Sequence, residues 1–170
     1  MHLHEGKGAI RNLLRGYGAE LPCTDGGRWK LYAERSGVGE THYQDYDRDI
    51  TAKTIEWLRA RRKGGKPWAL YVGYISPHPP FTVERRWYDL YDGVAMPPPV
   101  GADFDGKPGF YREIHERYGL GRLTPEDWAE LRRTYYAMVS RVDHQLGEVR
   151  DALARSGQAE RTVTFFFTDH

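Results

Sequence analysis

Between Thr124 and Gly157 the apolar residues fall at steps of three and four: Trp128, Leu131, Tyr135, Met138, Val142, Leu146, Val149 and Leu153. That spacing predicts one long amphipathic helix. Its start is written in "LTPEDW": Thr124 as N-cap, Pro125 at the first helical position, Glu126 and Asp127 in the first turn. Gly157 is placed to close it. An apolar stripe of that length has to be covered by another layer of structure.

Two apolar runs are candidates for that layer. "WALYVGYIS", residues 68–76, is nearly continuous, and its length and aromatic content favour a strand buried on both faces. It runs into "PHPPF", where prolines forbid a continuing strand or helix. The second run, "TVTFFFTDH", begins at Thr162 and closes on Asp169 and His170. Before the first run, Asp49 can cap a helix over about 50–63, with Ala52, Ile55 and Leu58 on one face and Trp57 beside it; "KGGKP" then turns the chain. Residues 1–48 show no clear period and read as loops with a short helix near "AIRNLLRGYG". "MPPPVGADFDGKPG" reads as an extended loop.

The order helix, strand, loop, helix, strand points to an α/β fold: a largely parallel sheet flanked by helices. In such sheets, functional groups gather at the carboxyl ends of the strands. His78 lies just past one strand, and Asp169 and His170 end the other. If the strands are parallel, all three face one rim.

The residue types fit a site there. Asp169 offers a hard anionic oxygen and His170 an imidazole nitrogen, a pair suited to a divalent cation once further ligands join it. The alternative is a strand end with a solvated Asp-His pair. His78, stiffened by its prolines, can donate to an anionic oxygen or protonate a leaving group. The alternative is a turn histidine satisfied by backbone. His2 and His4 in "HLH" would share a face of a strand, or belong to a disordered start. His42, His115 and His144 lie in polar segments and read as surface residues. Cys23 has no apparent base or positive neighbour and reads as a structural thiol. Asp143 borders the apolar face of the long helix and reads as a packing residue.

Composition narrows the function classes. A formal net charge of +1 gives no electrostatic case for nucleic acid or an anionic membrane. The basic cluster "RARRKGGK", residues 59–66, reads as the solvated end of a helix. No run reaches the ~18–20 apolar residues of a membrane span. One cysteine excludes an internal disulfide and leaves the compartment open. "MHLHEGKG" is followed by no apolar h-region, so no signal peptide is read there.

Four segments in order resemble the sulfatase family. "KPWALYVGYISPHPPF" is similar to its strand running into Pro-His-x-Pro-Phe. "YYAMVSRVDHQLGEVRDAL" followed by "TVTFFFTDH" resembles its long helix and the strand ending in Asp-His or Asp-Asn. "YDRDITAKTIEWLR" looks like the helix before the first of these strands, and "ERRWYDLYDGVAMPPP" like the segment after the histidine. The resemblance covers roughly residues 45–100 and 124–170.

It implies an alkaline-phosphatase-like fold and a hydrolase of small-molecule or carbohydrate sulfate esters; some relatives cleave phosphonate or phosphate esters. The implied nucleophile is a formylglycine hydrate made from Cys or Ser in Cys/Ser-x-Pro-x-Arg, and the implied cation is typically calcium. By position, Asp169 and His170 resemble two metal ligands and His78 the sulfate-contacting histidine. His2 resembles the histidine of a Gly-Lys-x-His stretch. No Cys/Ser-x-Pro-x-Arg occurs in this chain; Cys23 is followed by Thr-Asp-Gly. The early acidic ligands have no candidate either. The expectation is therefore a partial sulfatase-type catalytic domain over 1–170, truncated at both ends. Phosphonate or phosphate ester hydrolysis and an inactive truncated product are the alternatives.

Overall fold

The computed structural model describes residues 28–61, 65–101 and 103–168. The short helix expected near residue 10 lies outside them. The elements are α1 (Arg28–Arg35), β1 (Gly37–Val38), α2 (His42–Arg59), β2 (Thr82–Val83), α3 (Arg85–Tyr88), α4 (Phe110–Tyr118) and α5 (Pro125–Arg155), with short 3₁₀ turns after α3, α4 and α5.

The long helix is α5, and its ends are as the sequence predicts. Thr124 Oγ1 accepts from Asp127 N at 3.1 Å, and Asp127 Oδ2 accepts from Thr124 N at 2.8 Å. This reciprocal pair satisfies two backbone donors that a helix start otherwise leaves unmet. After the last turn the chain needs a left-handed residue, and Gly157 takes φ +70°.

Helix α2 differs from expectation. It starts at His42, not near 50, because Thr41 and Gln44 form a capping box. Its buried face is Gln44, Asp47, Thr51, Thr54 and Leu58, with Tyr43 and Ile50 alongside, whereas Ala52 is exposed and Ile55 only half-buried. That face is largely polar, and it packs on α5, which buries Leu131, Thr134, Ala137, Met138, Arg141, Gln145 and Ala152. Asp143 is exposed rather than packed.

The sheet is present only in part. β1 and β2 pair in parallel, Gly37 opposite Thr82 and Val38 opposite Val83. Val83, fully buried, joins Ala137 and Met138 in a small apolar core ringed by Phe81, Trp87, Tyr88 and Tyr91. The two apolar runs expected as buried strands are extended but form no ladder among the described residues. Tyr71 is 75% and Phe165 80% exposed. A strand exists only through its neighbours' hydrogen bonds, so an apolar run without them keeps its side chains in solvent.

The runs nevertheless lie side by side. Trp68 Nε1 donates to Gln158 Oε1 at 3.2 Å, just before the second run, and the rings of Tyr71 and Phe167 sit 6.2 Å apart. These contacts bring the first run against the approach to the second and against its far end. Trp57 of α2 meets Trp68 edge-on at 5.1 Å. Arg61, in the basic cluster, lies 3.9 Å over the Trp57 ring, which fits a solvated helix end. No helix among the described residues is long and apolar enough to cross a membrane.

Tyr88 ties α3 to α5. Its hydroxyl donates to Glu130, with both carboxylate oxygens in reach at 2.7 and 2.5 Å, and Arg133 lies 3.8 Å over its ring. Burial first, then the Glu130 carboxylate, pushes the phenol from 10.0 up to about 12. The folded state therefore keeps a proton that the unfolded chain releases. The stabilisation is complete below pH 10 and is lost as pH rises toward about 12. Tyr88→Phe is expected to flatten that loss. Urea midpoints at pH 9 and 11 for both proteins check it; parallel declines would show that Tyr88 does not carry it.

Candidate functional site

His78 sits at the turn where the first apolar run ends. Ser76–Pro77 and Pro79–Pro80 are both cis, and the His78 amide donates to Ile75 O at 3.0 Å. The ring is exposed and rests edge-on against the buried Tyr43 ring, 5.8 Å away. Its Nδ1 lies 2.6 Å from Pro79 O. A carbonyl oxygen can only accept, so the proton of the neutral ring belongs on Nδ1. Nε2 is then the nitrogen turned to other tasks, and among the described residues it has no hydrogen-bond partner.

Beneath this loop lies a buried charged cluster that the sequence reading missed. Asp47, 0% exposed, accepts from Ile75 N at 2.8 Å through Oδ1 and from Ser76 N at 3.2 Å through Oδ2. Arg141, 2% exposed, reaches Asp47 Oδ2 at 3.3 Å, Ser76 Oγ at 3.4 Å, Gln44 O at 2.9 Å and the Glu84 carboxylate at 3.2 Å. Arg48 meets Glu84 from the solvent side at 2.7 Å. Next along α2, Thr51 Oγ1 donates to Asp47 O at 2.8 Å and accepts from Gln145 Nε2 at 2.9 Å. Tyr74 OH is 3.1 Å from Thr51 Oγ1, and burial pushes its phenol up. The signal was in the sequence: Gln44, Asp47, Thr51 and Thr54 repeat at helical spacing on one face of α2.

Asp169, His170, His2 and Cys23 lie outside the described residues. Of the expected site residues the structure therefore places His78 alone. Among the described residues no group of three His, Cys, Asp or Glu side chains is arranged to hold a metal. The chemistry of Asp169 and His170 suits a divalent cation in part: one hard oxygen and one imidazole nitrogen, where calcium takes about six to eight oxygen ligands. His42 and His144 are exposed, as expected of surface residues, whereas His115 is half-buried and packs against Phe104 at 5.3 Å.

A stiff histidine loop ends the first apolar run, braced by helices and with the second run beside it, an arrangement that fits the alkaline-phosphatase-like superfamily. The sulfatase family model matches residues 16–170, and the chain belongs to that family. It is 29% identical over 126 residues to a sulfatase of Formosa agariphila, covering 69% of this chain and 25% of that protein. It is 29% identical over 145 residues to the choline-sulfatase of Rhizobium meliloti, covering 79% and 28%. It is 26% identical over 193 residues to the multifunctional alkaline phosphatase superfamily protein PehA of Trinickia caryophylli, covering 96% and 37%. The chain thus spans between a quarter and somewhat over a third of the length of these relatives.

Proposed function

We propose that this chain is the part of a sulfate ester hydrolase that presents His78 to the sulfuryl oxygens and contributes Asp169 and His170 to a divalent cation site, with calcium as the cation. The observation that carries the reading is His78 itself: exposed, held by Pro79 O through one nitrogen, and fixed from below by buried charge. A histidine so held meets an anion without a large ordering cost. The contact between the two runs, Tyr71 against Phe167, supports a common rim for His78, Asp169 and His170. His2 is assigned to the same anion pocket.

A divalent cation bound there supplies charge to neutralise the ester oxygens and the nucleophile. His78 hydrogen-bonds the transferring group as its charge shifts. The nucleophile, a formylglycine hydrate, is contributed from outside these 170 residues, which contain no Cys/Ser-x-Pro-x-Arg. The chain by itself is accordingly expected to turn over no ester. A second reading, hydrolysis of phosphonate or phosphate esters on the same scaffold, is favoured by the likeness to the multifunctional Trinickia protein along 96% of the chain.

The test is ester hydrolysis by the full-length protein. 4-Nitrophenyl sulfate is expected to be cleaved faster than the matching phosphonate monoester and phosphate. Chelation is expected to abolish turnover, and calcium to restore it. Faster phosphonate cleavage would establish the second reading. No turnover on any of the three, with calcium present, would make the protein non-catalytic.

A further inference from the structure

We infer that Asp47 and Arg141 are positioning residues for His78: a buried ion pair that clamps the loop carrying the imidazole at both ends. The inference rests on the proposed role of His78 for its functional meaning, but its geometry is independent of it.

The entrance to the loop is held by Asp47. Each carboxylate oxygen takes one backbone amide, Ile75 N on Oδ1 and Ser76 N on Oδ2. The exit is held by Glu84, which directly follows β2 and so fixes the strand into which the loop runs. Arg141 reaches both sides: Asp47 Oδ2 and Ser76 Oγ through Nη1, and Glu84 through Nε. One guanidinium therefore spans the segment that contains Pro77, His78, Pro79 and Pro80. Its remaining nitrogen donates to Gln44 O in the first turn of α2, so the clamp is referenced to that helix as well as to α5.

Charge placement supports the assignment. Taking Asp47 and Arg141 fully out of water is costly, and apolar residues of similar size commonly fill such positions at no loss of stability. Here apolar replacement would strand the two loop amides that Asp47 accepts. The carboxylate is needed because the loop presents two donors close together, and only an acidic group accepts both while facing a guanidinium. Asparagine in its place offers one acceptor oxygen and turns an amide NH₂ toward the other donor or toward Arg141. A lysine at 141 supplies one compact charge and cannot fork to both ends of the loop.

The consequence for His78 is a defined tautomer. The Nδ1–H···O=C bond to Pro79 requires the loop to keep its present path. With the entrance released, His78 and Pro79 move relative to each other, and the proton distributes over both ring nitrogens. Nε2 then ceases to be the single outward-facing site.

The test uses full-length protein with isotope labels only in the histidine rings and in the Ile and Ser amides. His78→Gln identifies the His78 signals by their disappearance. In the unaltered protein, His78 is expected as the Nδ1–H tautomer, and the Ile75 and Ser76 amides are expected to exchange as slowly as amides in the middle of α5. In Asp47→Asn and Arg141→Lys, the ring nitrogen shifts are expected to move toward values averaged over both tautomers. The kcat on 4-nitrophenyl sulfate is expected to fall about 100-fold, the effect of an ångström-scale misplacement, with little change in KM. Arg48→Gln, which touches Glu84 only from outside, is expected to leave the His78 signals in place. Fast exchange at Ile75 and Ser76 in the unaltered protein would overturn the inference, even if both variants failed to fold. So would an unchanged His78 tautomer in a folded Asp47→Asn. If His78→Gln keeps full turnover, the proposed role of His78 fails, while the shift and exchange data still decide whether the clamp exists.

Discussion

Arg141→Ala is expected to cost about 3–5 kcal/mol of stability. The substitution leaves Asp47 buried, charged and without its counterion. Glu84 is less affected, because Arg48 still meets it at 2.7 Å. The loss does not come from the salt bridge as a favourable contact; it comes from the stranded carboxylate. That distinction is measurable. In many buried pairs, replacing both partners by apolar residues restores stability. Here Asp47→Leu combined with Arg141→Met removes both charges but strands the amides of Ile75 and Ser76, at about 1–3 kcal/mol for each unmet donor. The double variant is therefore expected to recover little. By contrast, Lys53→Ala, which breaks an exposed pair with Asp49 at 2.7 Å, is expected to stay within about 0.5 kcal/mol. Denaturant midpoints of the four proteins check the series. Full recovery in the double variant would mean that Asp47 is present for Arg141 and not for the loop.

The same cluster explains what could be read from the sequence. Helix α5 was legible at both ends because its signals are local: a Thr-Pro-Glu-Asp start, an apolar step of three or four, a glycine stop. Helix α2 was placed too late because its buried face is Gln44, Asp47, Thr51 and Thr54. Polar residues at helical spacing look like a solvated face, and nothing local announces that Arg141 and Gln145, far along the chain, will cover them. The capping box Thr41–Gln44 was the available clue. The apolar runs at 68–76 and 162–168 were read as buried strands, but burial is a property of the layers around them, and the described residues give only a two-stranded ladder elsewhere. The stiff turn that carries His78 was legible because its prolines allow neither a strand nor a helix to continue. Arg141 was not, since a lone arginine in a helix is ordinarily a surface residue.

His78→Ala in the full-length protein is expected to lower kcat by about 10²–10⁴-fold, the usual range for a positioned proton donor or acceptor. Cys23→Ala is expected to leave kcat unchanged, because no base or cation accompanies that thiol in the sequence. The contrast follows from how each side chain is held. His78 is fixed on a stiff loop, with Nδ1 satisfied by Pro79 O and the loop amides satisfied by a buried carboxylate. Truncating it removes a ring that is exposed and packs only edge-on against Tyr43, so stability is expected to change little while turnover collapses. That pairing of outcomes separates chemistry from folding, which a substitution at Asp47 cannot do. A loss confined to KM would make His78 a binding contact that acts equally on ester and transition state. Equal losses for His78→Ala and Cys23→Ala would move the site away from the Pro-His-Pro-Pro loop, and with it the proposed rim shared with Asp169 and His170.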